Sequence, residues 1–119
     1  MASGVIPKYM PGVDTGWKEI ELQNITGGPL KYRWEGNFFY LRNTAYIKLT
    51  SNLADGGSVQ IGTIPNGEYP SITVGYGYND SNNKMFLVKL QSGRVEIRNS
   101  SGTAISTSNN LVINAIMMD

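Results

Sequence analysis

Tyr76 and Tyr78 lead directly into Asn79, Asp80, Asn82 and Asn83, which sets aromatic rings beside planar amide and carboxylate groups. A ring offers a flat apolar platform to the C–H face of a sugar, and planar polar groups offer donors and acceptors in fixed geometry to vicinal hydroxyls. This stretch is the first candidate for a saccharide-binding site. It also has a purely structural reading, in which the amides serve a turn and the tyrosines finish a core. A second candidate patch is Tyr40, Arg42 and Tyr46, with Trp34 nearby and Phe38 in the same row. An arginine beside aromatic rings can stack on a sugar or hold an anionic substituent such as a phosphate. The competing reading is that the row packs against a second sheet or a neighbouring subunit, and Trp34, on the opposite alternation from Arg33, reads as core.

Catalytic chemistry is poorly provided for. The 119 residues include no histidine and no cysteine, so the usual general base, the thiolate nucleophile and the commonest transition-metal ligands are absent. Glu19 and Glu21 are two apart and share one face of a strand, side by side rather than across a cleft. Glu35, Asp55, Glu68, Asp80 and Glu96 are dispersed, and no catalytic site is assigned. Asp80 with its flanking asparagines is oxygen-rich, but a single carboxylate is a weak set for a hard cation. Gly75-Tyr76-Gly77 has no following helix to complete a phosphate loop. No metal and no cofactor is expected.

A net charge of +1 with 16% charged residues gives no basic surplus for nucleic acid. The lack of cysteine leaves the redox compartment open. No apolar run of about 18 residues is present, and Met1–Pro11 has no continuous apolar segment, so neither a transmembrane helix nor a signal peptide is readable. A soluble protein without membrane insertion is expected.

The elements that position these residues follow from apolar alternation. Leu30–Leu49 reads as a long hairpin about Gly36-Asn37, with Leu30, Tyr32, Trp34, Phe39, Leu41, Ala45, Ile47 and Leu49 on the core face and Phe38, Tyr40, Arg42, Thr44, Tyr46 and Lys48 on the other. Trp17–Leu22 is a first strand, Asn24–Pro29 a turn, Ser58–Thr63 a short strand, and Ile64-Pro65-Asn66-Gly67 a turn. From Pro70 a strand follows whose inward set is Ile72, Val74, Tyr76 and Tyr78. Lys84–Leu90 is apolar on both faces and reads as a strand covered on each side. Gln91–Arg94 turns the chain into Val95–Arg98, and Asn99–Asn110 is a loop. Leu111–Met118 is an apolar strand that is either central or packed by one face against copies of itself. These are about eight strands with no helical period. The fold class is all-β, an antiparallel β-sandwich or barrel of jelly-roll type, over residues 17–119, preceded by an extended arm or linker over residues 1–16.

Trp17 opening the first strand, then Tyr32-Arg33-x-x-Gly36-Asn37-x-x-Tyr40-Leu41-Arg42, then Gly62-Thr63-Ile64-Pro65-x-Gly67-x-x-Pro70, resemble the C-terminal head domain of receptor-binding proteins from the tail tips and baseplates of bacteriophages of Gram-positive bacteria. The resemblance extends over roughly residues 17 to 118. It implies a small jelly-roll or barrel head, trimeric, carried on the virion and binding host cell-wall polysaccharide without catalysis. The N-terminal arm then attaches to other tail or baseplate proteins. No saccharide-contacting residue carries over by motif. The alternative is a structural baseplate or virion component that makes only protein–protein contacts, with the aromatic rows buried in interfaces.

Overall fold

The computed structural model describes residues 14–71 and 73–118, which form strands joined by turns and loops. In chain order the strands are β1 (Lys18–Glu19), β2 (Glu21–Leu22), β3 (Ile25–Gly27), β4 (Leu30–Glu35), β5 (Phe38–Asn43), β6 (Ile47–Leu49), β7 (Ser58–Thr63), β8 (Thr73–Asn79), β9 (Lys84–Gln91), β10 (Arg94–Arg98) and β11 (Leu111–Met118). The strand order is β1-β4-β5-β11-β8-β9-β10-β7-β2, with β6 also on β11 and β3 on β6. Every pairing is antiparallel. Only Ile20 separates β1 from β2, yet they stand at opposite ends of that path, so the sheet is brought round almost into a closed barrel. The all-β antiparallel sandwich or barrel expected from the alternation is the fold found.

The core lies inside this wall. Trp34 packs edge-on to Phe39 at 5.0 Å, Tyr32 stacks on Phe39 at 5.8 Å, and Leu30, Leu41, Ile61, Phe86, Val88, Leu90, Ile97 and Ile113 are buried around them. At about 25 cal/mol per Å² of apolar surface, such burial is the main stabilising contribution in a chain without disulfides. The hairpin turns have the residues their geometry requires. Gly36 takes φ +61° at the first central position between β4 and β5, and Ser92 and Gly93 take +51° and +81° between β9 and β10.

Several expectations are corrected. The strands number eleven, because short pieces add to the longer ones. The first strand is divided at the buried Ile20, which passes the chain from β4 to β7, so Glu19 and Glu21, both exposed as expected, stand on different strand pairs. The Asn24–Pro29 turn contains β3, paired with β6. The turn after β7 closes one residue later than expected, with Glu68 N donating to Pro65 O at 3.0 Å. The second arm of the long hairpin breaks at Thr44–Tyr46, and Ala45 is exposed. Asn43 causes the break: its Nδ2 donates to Ala45 O (2.7 Å) and Leu111 O (3.0 Å), and its Oδ1 accepts from Ile113 N (2.8 Å). That side chain takes up backbone groups that a continuing ladder would have paired, and β6 turns away to β3 and the end of β11.

The inward set of β8 is also the opposite of the one expected. Gly75, Gly77 and Asn79 face inward, while Val74, Tyr76 and Tyr78 face out. β9 buries Phe86, Val88 and Leu90, but Met85 is exposed, so only one of its faces is fully covered. β11 is central, between β5 and β8, and still carries Ile116 outward at 64% exposure. The expectations for residues 1–13 of the arm and for Ile72 lie outside the described residues. Within residues 14–16, Thr15 N donates to Trp34 O at 3.0 Å and Asp14 bridges Glu35, so pairing along β4 begins before Trp17.

Candidate functional site

Among the described residues, seven large apolar or aromatic side chains are exposed: Phe38, Tyr46, Val74, Tyr76, Tyr78, Met85 and Ile116. All stand on the outer faces of β5, β11, β8 and β9 or at the corner leading into β6. Register joins them. Tyr78 lies between Val112 and Met85, Tyr40 lies opposite Ile116, and Arg42 lies opposite Asn114. The outer face of β11 thus runs between the two patches singled out in the sequence and makes them one surface.

The first candidate patch is partly assembled. The Tyr78 hydroxyl donates to Asn83 Oδ1 at 2.6 Å, and the Tyr46 hydroxyl donates to Asp80 Oδ2 at 2.5 Å. The bond to Asp80, and then the charge of that carboxylate, push the Tyr46 hydroxyl above the usual phenol range. Tyr46, assigned to the second patch by sequence, therefore belongs with the first. Asn83 is in the left-handed region at φ +61°, and Asn82 Oδ1 accepts from Lys84 N at 3.1 Å. A depression of about 190 Å³ is lined by Tyr76, Gly77, Tyr78, Met85, Val112 and Asn114. A neighbouring one of about 360 Å³ is lined by Asn43, Thr44, Ala45, Tyr46 and Val112. Val112 separates the two, with a tyrosine ring on each side.

Asn79 is a correction. It is 1% exposed, its Nδ2 donates to Asn109 Oδ1 (3.1 Å), and its Oδ1 accepts from Ser81 N (3.0 Å). It anchors the loop from inside and presents nothing to a ligand. The loop after β10 is held in the same way by the buried Asn99, whose Nδ2 donates to Leu53 O (2.9 Å) and Thr103 O (2.8 Å).

The second patch loses Trp34 as well as Tyr46. Trp34 is 1% exposed and its indole N–H donates to Glu68 O at 2.7 Å, so it is core. In its place stands Trp17, which the sequence reading left out of the site. The Arg42 guanidinium carbon lies 4.2 Å from the Trp17 ring centroid and that of Arg33 lies 5.7 Å away, while the Tyr40 ring meets Trp17 edge-on at 6.5 Å. Arg33 is engaged by both oxygens of Asp14 and by Glu35 at 3.3 Å. The Arg33 guanidinium holds the Asp14 carboxyl below the usual carboxylate range. Tyr40 donates weakly to Glu35 at 3.4 Å. Trp17 could have been placed here only with the register of β1 on β4, which depends on where the first strand divides.

Among the described residues no three His, Cys, Asp or Glu side chains come together to hold a metal. The Glu68 carboxylate accepts from Lys18 Nζ and from the Tyr32 hydroxyl, both at 2.8 Å. The bond from Lys18 holds it below the usual range against the opposing effect of burial, with Tyr32 assisting. Burial, followed by the bond to Glu68, pushes the Tyr32 hydroxyl far up. With Trp34 also bonded to its carbonyl, Glu68 fastens the turn after β7 over one end of the core. Among the described residues no helix is long and apolar enough to cross a membrane.

Neither a family model nor a curated protein matches the sequence. Among solved structures, the chain is similar to the head domain of lactococcal phage bIL170, described among the receptor-binding domains of lactococcal phages. The TM-score is 0.66 with 18% sequence identity, covering 86% of this chain and 96% of that chain. The likeness is one of fold, and the head-domain fold implied by the Trp17-to-Pro70 pattern is the fold observed.

Proposed function

We propose that the protein is a non-enzymatic receptor-binding head of a phage tail or baseplate, holding a host-surface saccharide at the edge formed by Tyr46, Tyr78, Asp80, Asn82 and Asn83. The observation that carries this reading is the outward placement of Tyr46 and Tyr78 with their hydroxyls tethered to Asp80 and Asn83. Tethered rings keep their faces open and lose little freedom on binding, which favours a weak polar ligand. Tyr76, 58% exposed, extends the platform along the strand. The fold shared with the bIL170 head domain supports placement on a virion tail and a host surface as the target.

The middle of the same face supports self-association. Ile116 and Val74, exposed on the neighbouring strands β11 and β8, form a short apolar strip of the kind that marks an interaction surface, with Met85 exposed further along, beside Tyr78. A closed ring of three copies buries such a strip with identical contacts, and three weak sugar sites on one particle gain through effective concentration. The N-terminal arm supplies the attachment to other tail or baseplate proteins. The apolar strip equally favours a second reading, a structural virion component that contacts only protein. Combining Tyr78→Ala with Asp80→Asn separates the two. Loss of binding to host cell walls with the oligomer intact supports the sugar site; loss of assembly supports the structural reading, and retained wall binding moves the sugar site away from this edge.

A further inference from the structure

Lys31 on β4 and Arg42 on β5 lie directly opposite one another in the antiparallel ladder, both on the outer face. Like charges in that relation are destabilising unless something neutralises them. The available carboxylates do not. Asp14 and Glu35 are taken by Arg33. Glu19 stands opposite Lys31 from β1 without closing to an ion pair, and among the described residues neither Lys31 nor Arg42 forms one. Residues 1–13 include no Asp or Glu that could serve.

The pair is nonetheless held in place. Trp17 backs the Arg42 guanidinium at 4.2 Å, which orients its plane, and Asn114 stands opposite Arg42 from β11, adding an amide to the row. An ammonium, a stacked guanidinium and an amide side by side present cationic groups and neutral donors to a ligand, with Glu19 on the far side of Lys31 as the carboxylate of the row.

We propose that Lys31, Arg42 and Asn114, with Trp17 behind Arg42, form an anion subsite that takes a phosphoryl group. Two unpaired cations match the charge of about −2 that a phosphomonoester carries near neutral pH better than they match a single carboxylate. That the phosphoryl group is carried on a host glycan rests on the adhesion reading above; the subsite itself does not.

The test is a titration of the purified protein with inorganic phosphate at constant ionic strength, following the two indole N–H signals by NMR. Trp34, buried and bonded to Glu68, serves as the internal reference. A saturable shift confined to Trp17 is expected, abolished in Arg42→Gln and weakened about tenfold in Lys31→Gln, the effect of one charge-assisted hydrogen bond. Glucuronate in place of phosphate is expected to bind about tenfold more weakly, as a single charge should. No saturable Trp17 shift, an unchanged shift in Arg42→Gln, or equal binding of glucuronate overturns the proposal. Wall binding measured in parallel keeps the two readings apart. Failure of the phosphate titration with wall binding intact removes the subsite alone, whereas a positive titration without wall binding removes adhesion alone.

Discussion

The ring of Phe86 fills the place that a side chain on Gly77 would take: a Cβ built on Gly77 would lie 2.2 Å from Phe86 Cε1. The two residues face each other across the β8–β9 ladder, and Gly75 is filled in the same way by Met117, whose Cε would lie 2.7 Å from its Cβ. These two glycines let bulky neighbours from adjacent strands close the core beneath β8. That leaves Val74, Tyr76 and Tyr78 to face outward and makes an exposed surface of what alternation alone reads as core.

Gly77→Ala should therefore force Phe86 out of its rotamer. Overpacking of this kind costs about 1–3 kcal/mol. The expected result is a lower urea midpoint at unchanged slope; an alanine variant as stable as the parent would mean that Phe86 is free to move aside.

Asn79→Ala is expected to lower stability by about 1–3 kcal/mol, because at a buried position it leaves Ser81 N without its acceptor and removes one of the two donors to Asn109 Oδ1, the other being Ser106 N. Asn83→Gly, which keeps the left-handed backbone free of strain and removes a side chain bonded only to the exposed Tyr78 hydroxyl, is expected to change stability by less than about 0.5 kcal/mol while weakening saccharide binding. Paired thermal melts and binding assays check both. The reverse order of stabilities would place Asn79 in the site and Asn83 in the scaffold.

Stability should fall at acid pH through Glu68. The bond from Lys18 depresses its folded-state pKa, so the unfolded chain takes up the proton first as pH falls. The contribution is complete above the ordinary value of 4.5 and is lost as pH drops through the folded value. On the alkaline side the Tyr32 hydroxyl, raised by burial and by Glu68, contributes below the ordinary value of 10.0 and loses that contribution as pH rises through its folded value. Denaturation midpoints across the acid range should drop in the parent and flatten in Glu68→Gln; parallel curves would remove Glu68 from this role.

Ile116→Lys should convert the proposed trimer to monomer without unfolding, since the side chain is exposed on the outer face of β11. Light scattering at micromolar concentration is the measurement. A trimer that survives the substitution would move the interface elsewhere on the barrel.

Much of the architecture can be read from alternation and turn chemistry. The β4–β5 hairpin about Gly36-Asn37, the β9–β10 hairpin, the antiparallel all-β class and the loop between β10 and β11 are local consequences of residue order. What alternation does not disclose is which face is covered when both are apolar or when glycines occupy one of them. In β8 the smaller residues point inward because Phe86 and Met117 come from other strands, a fact of register between distant segments. Asn43 breaks the long arm by bonding to Leu111 and Ile113, far along the chain. Trp17 reaches Arg42 only because the first strand divides at Ile20 and lays its first half on β4. The proposed site residues Tyr78, Asp80 and Asn83 are legible as a polar loop after aromatics; Tyr46 joins them from another element, and Asn79 turns to the interior.

The central claim is that the outward tyrosine edge binds host-surface saccharide. The most direct measurement is a pull-down of the purified oligomer on isolated Gram-positive cell walls, with and without their non-peptidoglycan polysaccharide, alongside the variant combining Tyr78→Ala and Asp80→Asn. Binding that requires the polysaccharide and is lost in the variant is the predicted result. A folded oligomer that binds no wall would contradict the claim and leave the protein a structural component of the virion; one that binds stripped and intact walls alike would contradict it by showing a target other than the polysaccharide.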